Sequence, residues 1–215
     1  MNFVRATVQD TAMGVAIVDK AESLRTFLKP TCGAAIWHRH TTPDFQNWVD
    51  ELDPMLLPQG RVVLEREATR SIVTDLCERA GTPLVVQLQE LIDDVVALAE
   101  MFADLMLTRY LRLRLAAVTS NACRKFHIDA VKGRLICTYR GLGTQYGMST
   151  NGEDPARLFT VPTGAPVLLK GTLWPNKPAS GLLHRSPPIE GTGETRHVLV
   201  LDALDEHEED LQRIG

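Results

Sequence analysis

The hydrophobic pattern of the chain changes near its middle, and the change predicts two kinds of structure. Before residue 109 the apolar positions recur at three- and four-residue steps, which is typical of helices with one buried face. After it they alternate, or form short runs between turns rich in glycine and proline, which predicts strands. The pattern therefore indicates an α+β protein in which helices come first and a sheet follows.

The N-terminal half predicts two short strands and three helices. The strands are expected at 15–18 and 34–37. A proline near the start and apolar residues at helical spacing predict a helix over 43–52. A second helix is expected from about residue 67 to Ala80, where Gly81 can end it in the left-handed conformation. The longest helix is expected over 83–108, with Leu84 opening its apolar stripe.

The C-terminal half predicts a succession of short strands. Apolar residues alternate with Arg112 and Arg114, so these two arginines are expected on the solvated side of their strand. The predicted strands are 111–119, 124–130, 134–139, 156–161, 166–170, 181–185 and 195–202. Because Lys132-Gly133 is a tight connection, 134–139 is expected to return antiparallel beside 124–130. Such closely spaced strands suggest a sheet that curls into a barrel or jelly roll.

The 215 residues suit a single domain, and a hydrophobic content of 44% is enough to bury a core. There is no internal repeat. We expect N-terminal strands and a short helix over 1–66, supporting helices over 67–109, a β-barrel core with the candidate site over 110–204, and an acidic tail over 205–215.

Charge and cysteine usage narrow the expected partners and compartment. The formal net charge is −4, which offers no broad basic surface, so a nucleic-acid partner is not expected. No apolar stretch has the length of a membrane span, and the N-terminus lacks the apolar core of a signal peptide. Four scattered cysteines without a Cys-x-x-Cys pair fit free thiols in a reducing compartment. We therefore expect a cytoplasmic protein.

A candidate metal site begins at the predicted strand 124–130. His127 and Asp129 are two residues apart, so on an extended strand their side chains project to the same face. With the distal His184 they supply two imidazoles and one carboxylate and leave other coordination positions open, which suits non-haem Fe(II). On a regular strand Cys123 would share this face, which keeps a zinc site of mixed ligands open as an alternative.

Arg196 is a candidate for binding an anionic cosubstrate. The residues between His184 and Arg196 are rich in turn formers, and a hairpin folding symmetrically about Glu190 would place the two opposite each other. Arg196 would then point into the same cavity as His184. A guanidinium there is suited to bind a carboxylate through two parallel hydrogen bonds. A dicarboxylic 2-oxoacid whose keto-acid end chelates the metal has such a far carboxylate.

The order His-x-Asp, distal His and then Arg resembles the Fe(II)/2-oxoglutarate-dependent dioxygenases on a double-stranded β-helix, a jelly-roll or cupin-like barrel. The stretch 161–171 looks like the family's Pro-Gly strand leading to the distal histidine. The resemblance implies that Arg196 binds the far carboxylate of 2-oxoglutarate, and that Fe(II) is bound by His127, Asp129 and His184. Arg196 lies farther beyond the histidine than in many members of the family. Arg134 and Tyr139, on opposite faces of their strand, are therefore rival cosubstrate contacts.

At finer grain the chain is similar to a bacterial family of unknown function, DUF1826. Its three motifs occur here as Phe-His-x-Asp, Arg-Leu-x-x-Thr-Tyr-x-Gly-x-Gly-Thr and His-Arg-Ser-Pro-Pro, at 126–129, 134–144 and 184–188. The implied function is hydroxylation of an unknown small molecule or protein side chain, with 145–157 and 174–180 as candidate substrate loops. A non-catalytic zinc or other divalent-metal-binding barrel, and a cupin-like metal-dependent isomerase or hydrolase, remain alternatives.

Overall fold

The structure is a computed structural model that describes residues 12, 14–149, 152–175 and 181–204. The described residues form three α-helices and ten strands. The helices are α1 (Pro43–Glu51), α2 (Thr69–Ala80) and α3 (Val86–Met106). The strands are β1 (Val15–Val18), β2 (Ala34–Trp37), β3 (Gly60–Glu65), β4 (Tyr110–Val118), β5 (Gly133–Arg140), β6 (Gln145–Met148), β7 (Phe159–Thr160), β8 (Pro166–Lys170), β9 (Leu182–Arg185) and β10 (Arg196–Leu204). Short 3-10 helices cover Ala21–Leu28, Pro54–Leu56 and Arg66–Ala68.

The strands form a large and a small sheet, and the chain crosses repeatedly between them. The large sheet has the order β1-β2-β8-β5-β10-β4-β3, and the small sheet has the order β7-β6-β9. From β4 onward the chain visits the large sheet, His127 beside the small sheet, β5, then β6 and β7, then β8, β9 and β10. This alternation is a double-stranded β-helix. The predicted α+β class and barrel are therefore confirmed.

Two apolar clusters hold the layers together. One lies between the sheets and includes Ile136, Val167 and Val200. The other lies between the large sheet and the helices, where α3 buries one face of its 21 residues. The predicted apolar stripe of α3 is thus core, with one correction. Leu84 lies before the helix and is 88% exposed.

Most predicted elements occur with shifted ends, but the predicted strand 124–130 is wrong. In that segment only His127 forms a β-bridge, with His184, and neighbouring groups bond to loops instead. Ser186 N–H, for example, donates to the Cys123 carbonyl. The predicted hairpin of 124–130 with 134–139 is wrong as well. The chain crosses to the other sheet before β5, which pairs with β8 and β10.

The predicted pairing of His184 with Arg196 is also wrong. His184 pairs with Tyr146 in the small sheet, whereas Arg196 pairs with Val118 in the large sheet. The strands β3 and β6 were not expected from the sequence, and the predicted strand 156–161 shortens to the two residues of β7. The division into a single domain with the expected boundaries stays a prediction. Its acidic tail 205–215 lies outside the described residues, as does part of the expected loop 174–180.

The polar face of β4 forms the inner wall of the barrel. Leu111, Leu113 and Leu115 pack toward the helices, so Arg112 and Arg114 face the side of the small sheet. Arg114 is exposed as expected, but the Arg112 side chain is only 16% exposed and lies 3.6 Å from Asp202. In the described part of the chain no helix is long and apolar enough to cross a membrane.

A partly buried ion pair ties α3 to the sheets. The Asp94 carboxylate accepts hydrogen bonds from Nη1 and Nη2 of Arg39 at 2.5 and 2.7 Å and from the Tyr139 hydroxyl at 2.7 Å. Arg39 also donates from Nε to the Gly164 carbonyl. One carboxylate thus links the helix to the loop after β2, to β5 and to the turn before β8.

We expect Asp94→Ala to lower the free energy of unfolding by about 3 kcal/mol, because it leaves the Arg39 charge and the Tyr139 hydroxyl unpaired. The matched control is Asp93→Ala. Asp93 is the preceding residue, has an exposed side chain and, among the described residues, pairs only with Arg70 and Gln89. Its loss should therefore cost less than about 1 kcal/mol. Urea unfolding measures both values, and equal losses would contradict this role of Asp94.

Candidate metal centre

Three side chains from distant parts of the chain meet beside the start of β5. His127 and Asp129 come from the segment that precedes this strand, and His184 comes from β9. Each offers one ligand atom, and these atoms lie within 4.8 Å of one another. Asp129 Oδ1 is 3.3 Å from His127 Nε2, and Asp129 Oδ2 is 2.9 Å from His184 Nε2. The structure therefore brings together the trio that the sequence predicts as metal ligands.

The backbone holds these residues in place without a regular strand. His127 and His184 exchange hydrogen bonds, with N–H donating to the opposite carbonyl at 3.0 and 3.1 Å. The Asp129 carbonyl accepts from Thr172 N–H at 2.9 Å. Gly171 lies so close that a Cβ there would be 1.9 Å from the Val131 carbonyl oxygen and 2.7 Å from that of Asp129. Only glycine permits this approach.

The free imidazole nitrogens are those that face the carboxylate. His127 Nδ1 lies 2.8 Å from the Lys125 carbonyl oxygen, so Nδ1 carries the proton and donates it there. This leaves the lone pair of Nε2 directed at Asp129. A metal-ligating histidine commonly uses its second nitrogen in this way. The Lys125 contact therefore presets the tautomer that can bind a cation.

An unsatisfied oxygen at the centre of the trio fits a cation. Asp129 Oδ2 is buried and accepts no aligned hydrogen bond, although His184 Nε2 is 2.9 Å away. A buried carboxylate oxygen without a donor is costly, and a metal ion would satisfy it. Two imidazole nitrogens and one carboxylate oxygen are donors that Fe(II) and Zn(II) both accept.

Arg134 and Asp202 fix the orientation of the Asp129 carboxylate. Arg134 donates from Nε and Nη2 to the two oxygens of Asp202, at 2.6 and 2.9 Å. Its Nη1 lies 2.5 Å from Asp129 Oδ1. Every nitrogen of this guanidinium therefore contacts a carboxylate. The arrangement fixes Asp129 through a second, buried acidic residue on β10.

The protonation states at the site suit metal binding. Burial alone would raise the pKa of Asp129, but the adjacent rings of His127 and His184 and the charge of Arg134 hold it below its usual range. Burial lowers the pKa of His184, which favours the neutral ring that a metal ion binds. The hydrogen bond to Asp129 raises the pKa of His127. A metal ion competes with a proton at that residue.

The three cosubstrate candidates lie in different places. Arg134 is at the site but is occupied by carboxylates. Tyr139 faces the helices, where its hydroxyl donates to Asp94, so the structure does not bring it to the trio. Arg196 lies on the inner face of β10, 2% exposed, and donates to the Leu142 carbonyl at 2.5 Å and to Thr138 Oγ1 at 3.3 Å.

The charge of Arg196 is not balanced nearby. Both of its hydrogen-bond partners are neutral, and no carboxylate among the described residues lies within ion-pair distance of it. Burial lowers the pKa of its guanidinium to about 10, with the charge of Glu194 acting in the opposite direction. The Glu194 carboxylate itself accepts a hydrogen bond from Leu142 N–H. A buried cation with neutral partners is suited to receive an anion.

The zinc site that would include Cys123 is not formed. Cys123 is exposed, and it is not part of the cluster of ligand atoms. Without a regular strand, the four-residue spacing no longer places its thiol beside His127. Within the described ranges the trio is the one such cluster, and the neighbouring rings of His38 and His40 gain no third ligand.

Two residues that position the site were not expected from the sequence. Asp202 interrupts the apolar run of β10, and a charged residue inside a buried strand is a signal that it has a partner. Gly171 carried no recognisable signal, because its close contact with the segment at Asp129 depends on the fold.

The sequence of residues 18–202 matches DUF1826, a family described as proteins of unknown function. The chain belongs to this family. The predicted membership is thereby confirmed. No curated protein matches the chain in sequence.

Two of the following three similar solved structures are described as oxygenases. The dioxygenase for auxin oxidation 1 from Arabidopsis thaliana, as a 2-oxoglutarate complex, is 9% identical with a TM-score of 0.52, covering 89% of this chain and 92% of that one. A 2OG-Fe(II) oxygenase family protein from Burkholderia pseudomallei is 13% identical, with a TM-score of 0.45 and coverage of 89% and 95%. Neurospora crassa T7H is 13% identical, with a TM-score of 0.45 and coverage of 91% and 99%. At these identities the likeness concerns the fold.

We expect His184→Ala to weaken binding of Fe(II), or of Co(II) as an air-stable probe, by at least about tenfold, because one of three ligands is lost. His40→Ala is the control, since this exposed residue belongs to the histidine pair without a third ligand. Anaerobic calorimetric titration measures both affinities. Equal affinities for the two variants would contradict the assignment.

Metal affinity should also fall as the pH drops. The metal needs neutral imidazoles, and the raised pKa of His127 means that protons begin to compete at a higher pH than for a free histidine. Binding titrations between pH 8 and pH 5.5 should show weakening that begins above the ordinary histidine pKa of about 6.5. A pH-independent affinity across this range would contradict ligation by His127.

Proposed function

We propose that the protein is an Fe(II)- and 2-oxoglutarate-dependent dioxygenase that hydroxylates a substrate. The observation that carries the proposal is the cluster of His127, Asp129 and His184. It supplies two imidazoles and a carboxylate, with no fourth ligand from the described residues. A divalent iron there keeps positions for a cosubstrate and for oxygen. The auxin-oxidising dioxygenase of similar fold, whose structure is a 2-oxoglutarate complex, supports the choice of cosubstrate.

The bound iron would supply the activation of dioxygen, coupled to oxidative decarboxylation of 2-oxoglutarate. The protein's own residues would bind the metal and orient its ligands. Asp129 holds its charge toward the metal because Arg134 and Asp202 fix its carboxylate. His127 presents Nε2 because Lys125 occupies Nδ1. The apolar lining between the sheets, including Ile136 and Val200, excludes water from the cosubstrate.

Arg196 is our proposed partner for the far carboxylate of 2-oxoglutarate. It lies on the same barrel face as Asp202, toward the other end of β10, and its guanidinium reaches Thr138. Thr138 is four residues along β5 from Arg134, about 13 Å of extended backbone. A chelated 2-oxoglutarate would cover part of this distance along β5, and the long Arg196 side chain would reach toward its far carboxylate. Arg134 is the weaker candidate, because Asp129 and Asp202 already occupy it.

We also propose a cytoplasmic location, and two alternative functions remain to be tested. Four free cysteines fit a reducing compartment, and we place the protein in the cytoplasm on that ground. A non-catalytic zinc protein would use the same trio, and a cupin-like isomerase or hydrolase would not need oxygen. The next experiment distinguishes the zinc protein from the dioxygenase.

Anaerobic addition of Fe(II) and 2-oxoglutarate should produce the visible charge-transfer absorption of a chelated 2-oxoacid, and admission of oxygen should then produce succinate. His127→Ala should abolish both, and His40→Ala should keep both. Tight zinc with no effect of 2-oxoglutarate would favour the metal-binding alternative. Absorption that survives in His127→Ala would contradict the proposal.

Arg196→Gln should weaken 2-oxoglutarate binding to the metal-loaded protein by roughly 10- to 100-fold, as expected for a lost charge-assisted contact. Binding of 2-oxobutyrate, which has the keto acid but no far carboxylate, should change little. Unchanged binding of 2-oxobutyrate also shows that the Arg196→Gln variant still folds. If Arg196→Gln weakens both ligands equally, Arg196 does not contact the far carboxylate.

A further inference from the structure

A second group of cations lies on the inner face of the large sheet beside the metal centre. Arg134, Asp202 and Arg112 are direct cross-strand neighbours on β5, β10 and β4. One position farther on the same face, Arg114 of β4 pairs with Arg61 of β3. The strands therefore place these arginines in two adjacent cross-strand rows. The first row begins at Arg134, which contacts Asp129.

The Arg61 and Arg114 pair is unfavourable in the absence of an anion. Directly opposed residues on antiparallel strands have Cβ atoms about 5 Å apart, and like charges at such positions destabilise a sheet. Both side chains are exposed, which weakens the repulsion but leaves its sign unchanged. No carboxylate of the described chain forms an ion pair with either one. The fold thus places two arginines directly opposite each other, with no counter-ion among the described residues.

Arg112 extends this group toward the metal centre. Its Nε is buried without a hydrogen-bond partner. Its nearest carboxylate is Asp202 at 3.6 Å, and both oxygens of Asp202 already accept hydrogen bonds from Arg134. Asp202 can balance one of the two arginines but not both.

The charges on this face leave an excess of positive charge. In the part of this face beside the metal centre the arginines are Arg61, Arg112, Arg114 and Arg134, and the nearby acids are Asp129 and Asp202. Arg196, on the same face, lies toward the other end of β10 and is not counted here. The excess is therefore two positive charges before any metal binds. Glu65, also on this face, is paired with Arg109 from outside it. A divalent metal with a dianionic cosubstrate adds no net charge, so the excess remains.

Apolar side chains flank the arginines on this face. Val63 lies in the row of Arg112, and Ala116 follows Arg114 on β4, both partly buried. A ligand resting there would meet guanidinium groups at one end and aliphatic surface beside them. With a net charge of −4, the molecule as a whole does not attract polyanions. These features favour a small organic anion.

We infer that the hydroxylated substrate is a small molecule with an apolar body and an oxyanion group, either a carboxylate or a phosphate or sulfate ester, and that Arg61 and Arg114 bind this group. Arg112 forms the side of the site nearest the metal. The inference rests on the proposed function, because it names the substrate class for the same centre. Two parallel guanidinium contacts would fix the anion and leave its apolar part toward the trio.

The test is calorimetric titration of the full-length, metal-free protein at low ionic strength with inorganic phosphate, sulfate and butyrate as probes. The double variant Arg61→Gln/Arg114→Gln should bind the preferred probe at least about tenfold more weakly than the wild type, a loss of about 1.4 kcal/mol. The matched control, Arg70→Gln/Arg79→Gln on α2, removes the same charge from exposed positions. It should bind within about twofold of the wild type.

The same variants give a second readout. Because Arg61 and Arg114 repel each other, Arg114→Gln should raise the melting temperature at low salt, and added phosphate should raise that of the wild type more than that of the variant. The preferred probe distinguishes a carboxylate substrate from a phosphate or sulfate ester. Equal probe affinities for the double variant and the control would overturn the inference, as would a single-stranded oligonucleotide that binds through these arginines far more tightly than phosphate.

The outcomes separate this inference from the proposed function. If the charge-transfer absorption with Fe(II) and 2-oxoglutarate forms but none of the probes depends on Arg61 and Arg114, the substrate class is wrong and the dioxygenase proposal stands. If the probes bind through these arginines but the absorption does not form, the anion site stands and the dioxygenase proposal fails.

Discussion

The candidate site depends on two backbone hydrogen bonds, those that His127 and His184 exchange across the small sheet. They place two imidazoles side by side although the surrounding segment is irregular. Asp129 follows two residues later and is held by Thr172 N–H and by the close approach of Gly171. This bridge is the backbone contact that holds His184 of β9 beside the segment before β5.

Charged side chains of the barrel interior contact one another in a row that ends at the metal ligands. A buried carboxylate on β10, Asp202, holds Arg134, and Arg134 holds Asp129, so the ligand trio is oriented through an alternating row of charges. Arg196, buried with neutral partners, and the facing Arg61 and Arg114 depart from this alternation. An unpaired buried charge such as that of Arg196 is costly, and the exposed Arg61 and Arg114 repel each other. Anions bound at both places would offset both effects.

The sequence predicted the site residues better than the way in which they meet. β8 has its predicted ends, because its run of three apolar residues, 167–169, lies between clear breakers. The trio was found from residue types and motifs, which do not depend on strand pairing. The hairpins were predicted wrongly, because local turn signals favour pairing of neighbouring segments, whereas a double-stranded β-helix sends successive segments to opposite sheets. Likewise, alternation placed Arg112 and Arg114 opposite the helix-facing core, but it could not show that a second sheet lies on that side.

The most direct measurement of the central claim is anomalous diffraction at the iron edge from crystals grown anaerobically with Fe(II) and 2-oxoglutarate. The account predicts one strong peak bonded to Nε2 of His127, Nε2 of His184 and a carboxylate oxygen of Asp129, with the 2-oxoacid on the side that the protein leaves open. An ordered structure with no peak among these three residues, or with iron bound at another place, would contradict it.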